Sequence, residues 1–231
     1  MKRNKIIETL SQDELKEYKK CVAFHEAGHA AGIHLHNQAH HLPPVFFNIN
    51  FKRLSALADT DVMAYQSPHS DCIARVEGGR LIESLPPSID SLLCGLSGHD
   101  DSRMQLTKAY MSAFDADIIN LLIGPLAEAK HVADVDDELF NHRLISLDAL
   151  KYYGGSFDLA LVNEYLHSFS ADKQQQDEKS VKLFTAAFDF VNNKANWKAI
   201  TQLARYILDS NKSIICCAEI VSILDQVELA G

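Results

Sequence analysis

The chain of 231 residues is 47% hydrophobic and 23% charged, the balance of an ordinary soluble globular protein with one sizeable core, in one domain or one with a helical appendage. Its formal net charge of −9 excludes the basic face that a nucleic-acid binder needs. No apolar run approaches the roughly 20 residues that span a bilayer, and Met1 to Glu8 is no secretory leader, so a cytoplasmic protein with reduced cysteines and no membrane segment is expected.

The first predicted element is a helix starting at about Ser11 or Gln12. Ser11 and Glu14 are spaced as a capping box, and Asp13 and Glu14 place negative charge in the first turn. From there Leu15, Tyr18, Val22, His25, His29 and Gly32 recur at three- and four-residue steps, while Lys16, Glu17, Lys19 and Lys20 supply the solvated side. This stripe contains His25-Glu26-Ala27-Gly28-His29, an H-E-x-x-H pattern. Histidines four apart share one helix face and can hold one metal ion. Glu26, projecting beside them, can accept a proton from an attacking water, which completes the minimal apparatus of a zinc peptidase. A five-residue pattern with three fixed positions also arises by chance. The small residues Ala27, Gly28, Ala30, Ala31 and Gly32 speak against chance, because glycine inside a helix costs about 1 kcal/mol relative to alanine and close approach of another backbone would explain them.

His34, His36, His40 and His41 follow, before Pro43 and Pro44 end the helix. A metzincin-like site would want a third histidine six residues after His29, where Leu35 stands. Solvated histidines at a helix end are the expectation here. Val45 to Phe51 alternates from Phe47 onward and reads as a half-buried strand, with Ala56 to Tyr65 and Cys72 to Val76 as possible partners. That first strand is the candidate exposed edge on which an extended substrate would lie, core sheet being the plain alternative. Gly78 to Asp101 is irregular, a flap or a connection, and its His99-Asp100-Asp101 is a metal-compatible cluster of a common solvated kind.

Ser102 to Val132 turns helical, with Gly124-Pro125 as a kink or a break between two helices. Glu83 and Glu128 are the carboxylates to watch; Glu128 lies in an apolar stretch and needs a metal, a histidine or a lysine if buried. Asp134 to Glu138 reads as a solvated loop. Ser156 is the expected N-cap of the next helix, with Asp158 in its first turn, where a dipole-favoured aspartate without further duty is the simplest reading. Helices over Lys173 to Asn192, Asn196 to Asp209 and Ser213 to Leu229 complete the chain, with Cys216-Cys217 packed as small apolar residues. The resulting class is α+β, mainly α-helical: a zincin-like active-site helix, a small β-sheet and a C-terminal helical bundle.

Ala23-Phe24-His25-Glu26-Ala27-Gly28-His29-Ala30 resembles the active-site helix of the FtsH-type zinc metalloprotease domain, in which HEAGHA is a frequent form. Leu122 to Glu128 is similar to that family's Leu-Gly-Gly-Arg-Ala-Ala-Glu segment, Gly154 to Leu159 to its Gly-Ala-Ser-Asn-Asp-Leu segment, and Trp197 to Leu224 to its terminal helices. The resemblance implies zinc ligation by His25, His29 and Asp158, with Glu26 as general base; the sequence itself leaves the third ligand open, with Glu128 as the reserve candidate. Ile123, Pro125 and Phe157 depart from the pattern, and no G-x-x-x-x-G-K-[ST] motif for an ATPase module occurs. The implied activity is ATP-independent hydrolysis of flexible or unfolded polypeptides, by a free-standing domain, a homo-oligomer or one supplied by a partner protein. A non-catalytic zinc-binding or regulatory module derived from such a peptidase is the alternative.

Overall fold

The computed structural model describes residues 11–51, 74–95 and 100–226. Helix α1 (Gln12–Ala31) starts as its sequence dictates: the Ser11 hydroxyl accepts from the Glu14 N–H and the Glu14 carboxylate accepts from the Ser11 N–H. It continues through a π-helical turn (Gly32–His36) into a last turn, α2 (Asn37–Ala39). A π-turn of this kind commonly lies beside a functional site.

Strands β1 (Phe47–Phe51) and β2 (Ala74–Gly78) pair antiparallel, with Ile49 opposite Val76. The short helix α3 (Ile89–Gly95) leads to α4 (Asp100–Val135), a helix of 36 residues. A 3₁₀ segment (Leu147–Tyr153) precedes α5 (Ser156–Phe169), α6 (Lys173–Asn192) and α7 (Lys194–Asp209). Strand β3 (Ile214–Cys216) and α8 (Cys217–Asp225) follow. The described residues are therefore mainly helical with one small antiparallel sheet, ordered β2-β1-β3. None of the described helices is long and apolar enough to cross a membrane.

One core gathers the apolar sides of α1, the sheet, α7 and α8, and another those of α4, α5 and α6; Phe190 and Trp197 pack against both. Helices α1 and α4 form the seam between them. A Cβ at Gly28 would lie 2.7 Å from the Ala127 Cβ and 2.9 Å from the Ile123 carbonyl, which is why glycine occupies the middle of a helix.

Several expectations are corrected. β1 is the central strand, because the distant segment Ile214–Cys216 pairs with its far side; among the described residues the edges are β2 and β3. The third possible strand, Cys72 to Val76, is this β2, described over Ala74–Gly78, whereas Ala56 to Tyr65 lies outside the described residues. Gly124-Pro125 does not divide α4. Leu122, Ile123, Leu126 and Ala127 are all buried around it, and this packing carries the helix across a proline that costs roughly 3 kcal/mol. The N-cap of α5 is Gly155, with Ser156 as first helical residue. The expected terminal helix begins as β3, and Cys216 is exposed while only Cys217 packs against the core.

Candidate metal centre

Burial of the α1 stripe against α4 aims His25 and His29 at the same point. The Nδ1 of His25 donates to Glu128 Oε2 at 3.0 Å and to the Tyr153 carbonyl at 3.2 Å, and the Nδ1 of His29 donates to the Asn120 carbonyl at 2.9 Å. All these partners are acceptors, so each Nδ1 carries a proton and each Nε2 faces inward. The two Nε2 atoms are 3.0 Å apart.

Asp158, in the first turn of α5, completes the group. Its Oδ2 is 3.4 Å from His25 Nε2 and its Oδ1 3.4 Å from His29 Nε2. His25, His29 and Asp158 thus offer one donor atom each, all within 4.8 Å of one another. Ligands held about 2.0–2.1 Å from a tetrahedral ion are roughly 3.3–3.4 Å apart, so the separations suit such a metal. The tight Nε2 pair would open slightly.

The electrostatics point the same way. Burial pushes Asp158 up, yet the charges and hydrogen bonds of His29 and His25 hold it well below the usual carboxylate range. Burial pushes His25 down, but hydrogen bonds and charges from Asp158 and Glu128 raise it to about 10. The site therefore stabilises a buried positive charge at the place where the donor atoms converge, and a bound cation would displace that proton.

Glu26 is buried on the same helix, and its Oε2 accepts the Val76 N–H of β2 at 2.6 Å. Burial raises its pKa, against the lowering pull of His25, His29 and the Val76 amide. Glu26 and the three donors open onto a cleft of about 930 Å³ whose wall includes Arg75 to Arg80 of β2 and the turn that follows it.

Two positions that looked unfavourable in the sequence serve this site. A side chain at Gly124 would overlap the His29 ring, and a Cβ at Gly155 would lie 2.8 Å from the Pro125 Cβ. Gly124 makes room for the second histidine, and Pro125 seats the N-terminus of the helix that carries Asp158.

The structure places the other candidates elsewhere. Glu128 lies on the Nδ1 side of His25, away from the converging Nε2 atoms, so the reserve third ligand is corrected to an orienting carboxylate. His34 Nε2 pairs with Asp225 at 2.6 Å. His36 is buried, not solvated, and packs against His40 with tilted rings, centroids 4.2 Å apart; none of these histidines joins the cluster. Glu83 is an exposed member of the cleft wall. His99 lies outside the described residues, and Asp100 and Asp101 open α4.

The sequence reading missed Asp117 and its surroundings. Buried Asp117 accepts from the N–H groups of Leu81 and Ile82 at 2.8 and 2.9 Å and from the Tyr165 hydroxyl at 2.8 Å, fixing the turn after β2. Two polar residues three apart, Asp117 and Asn120, in an otherwise apolar stretch of α4 were the available signal. Comparison with protein-family models, with curated proteins and with solved structures gave no match for this chain.

Proposed function

We propose that the protein is a zinc-dependent metallopeptidase that hydrolyses peptide bonds in extended or unfolded polypeptide chains. The observation that carries this reading is the convergence of His25 Nε2, His29 Nε2 and an Asp158 oxygen beside Glu26 in an open cleft. Zinc suits two imidazoles and one carboxylate, with a position left open for a small ligand. When bound, it would supply Lewis-acid polarisation of the scissile carbonyl and acidification of the attacking water.

The rest falls to the chain itself. Glu128 and the Asn120 carbonyl hold the two imidazole rings in the tautomer that leaves Nε2 free. Glu26 accepts the proton of the attacking water and returns it to the leaving amine; burial, which raises its pKa, makes it a stronger base for that acceptance. The outer edge of β2 borders the cleft and offers backbone groups to an extended substrate, which is why an unfolded segment fits better than a folded one.

A zinc-binding module without catalysis is the second reading. It is favoured by one observation, the engagement of Glu26 with the Val76 amide, which a substrate or water would have to replace. Glu26→Gln separates the two. The peptidase reading expects casein cleavage by the zinc-loaded wild type, abolished in Glu26→Gln with zinc content unchanged. Equal cleavage by both proteins would remove Glu26 from the mechanism; cleavage by neither leaves the binding module.

A further inference from the structure

Arg80 follows β2 on the wall of the same cleft, and its guanidinium is held in an unusual way. Its Nε and Nη2 donate to the Tyr165 hydroxyl oxygen at 3.0 and 2.8 Å. That hydroxyl is inaccessible to solvent and donates its own proton to Asp117 Oδ2 at 2.8 Å. The phenol is thereby saturated, with two bonds accepted and one given. Asp117 is likewise occupied, by the amides of Leu81 and Ile82 as well as by Tyr165.

Arg80 is therefore hydrogen-bonded to a neutral hydroxyl and not directly to a carboxylate, with the charge of Asp117 acting on it from behind that hydroxyl. The two bonds to Tyr165 use the Nε side of the guanidinium and leave Nη1 and the rest of Nη2 able to donate in parallel, the arrangement that binds a carboxylate in bidentate fashion. No carboxylate of a described residue lies within ion-pair distance of it. A second cation, Arg75, reaches over the Phe157 ring, 5.0 Å from its centroid, and both arginines line the cleft onto which the metal cluster opens.

The position relative to the cluster follows from α4. Asp117, which anchors Arg80 through Tyr165, and Asn120, whose carbonyl orients His29, are three residues apart on that helix. Residues so spaced are neighbours on one face, roughly 5–6 Å apart at Cβ. Arg80 is thus tied to the turn of α4 adjoining the one that holds the second metal-binding histidine.

We propose that Arg80 determines specificity by pairing with a carboxylate of the bound polypeptide, so that the cleft selects chains with an acidic group close to the bond over the metal cluster. This rests on the peptide-binding reading of the cleft given above. The carboxylate has two possible sources, an Asp or Glu side chain and the chain's C-terminus, with the same chemistry toward a guanidinium.

The test is binding, measured by fluorescence anisotropy with full-length, zinc-loaded Glu26→Gln protein so that peptides stay intact. The probes are an N-terminally labelled, C-terminally amidated alanine-based peptide with one central glutamate, the same peptide with glutamine, and the glutamine peptide with a free C-terminal carboxylate. The expected result is that one carboxylate-bearing peptide binds about tenfold or more tightly than the amidated glutamine peptide. Which of the two does so identifies the source. Adding Arg80→Gln should bring that ratio to within about twofold, and Arg80→Lys, which keeps the charge but not the fork, should retain only part of it. Unchanged zinc content and circular dichroism in both double variants would show that the fold is kept. A ratio near one, a preference that survives Arg80→Gln, or no binding of any peptide would overturn the proposal. Casein cleavage without acidic preference would overturn this inference alone, and acidic preference without any cleavage by wild type would overturn only the peptidase reading.

Discussion

Replacing Glu128 with glutamine separates an orienting residue from a ligand. The Glu128 carboxylate is buried and accepts from His25 Nδ1 at 3.0 Å, with the Tyr153 carbonyl as a second acceptor at 3.2 Å. Glutamine keeps the size and an acceptor oxygen but removes the charge, so the Nδ1 proton keeps partners while the imidazole loses basicity. Losing such a partner of a metal-binding histidine typically costs 10- to 100-fold in affinity, or about 1.4 to 2.7 kcal/mol. Competition with a zinc-binding dye, wild type beside Glu128→Gln and Asp158→Ala, reads this directly. The variant is expected to bind zinc at unchanged stoichiometry and weaker by that factor, whereas Asp158→Ala should fall much further. Affinity within twofold of wild type would refute the orienting role. A loss as complete as that of Asp158→Ala would mean that Glu128 is itself a ligand.

Gly124→Ala puts a methyl group into the His29 ring, and the ring or the helix must shift. Zinc affinity should drop at least tenfold while α4 keeps its helicity by circular dichroism, and unchanged affinity would contradict the close packing described here. His36 supplies a pH prediction: burial, reinforced by the neighbouring His40 and opposed by Asn37, lowers its pKa to about 4. Between that value and its unfolded value of about 6.5 the unfolded chain binds the extra proton. Stability from this residue is therefore present above the unfolded value and lost on acidification, by about 2 kcal/mol from pH 7 to pH 5. Urea denaturation should show that fall in wild type to exceed the fall in His36→Phe, which keeps a ring against His40 and Phe190; equal slopes would refute it.

What the sequence revealed was local. The Ser11–Glu14 capping box, the histidine stripe and the acidic first turn of α5 each lie within one helix, where three- and four-residue spacing alone brings side chains together. Small residues in α1 also signalled a close neighbour, which is the Ile123–Ala127 stretch of α4. Non-local pairings were beyond reach. Whether β1 was an edge depended on Ile214–Cys216, more than 160 residues onward. Gly124-Pro125 reads as a break by propensity, but its purpose, space for His29 and a seat for Gly155, exists only after α1, α4 and α5 have packed. Arg80, Tyr165 and Asp117 come from three separate segments, and no spacing rule links them. Glu128 was recognisable as a carboxylate needing a partner, yet ligand and orienting residue differ only in which histidine nitrogen it meets.

We propose that His25, His29 and Asp158 hold one metal ion. Elemental analysis of the protein purified without added metal and then supplied with zinc tests it most directly, on wild type beside Asp158→Ala and His25→Ala. About one zinc per wild-type chain is expected, with little or none in either variant. Wild type that stays free of metal after zinc is supplied, or Asp158→Ala that keeps its full complement, would contradict it.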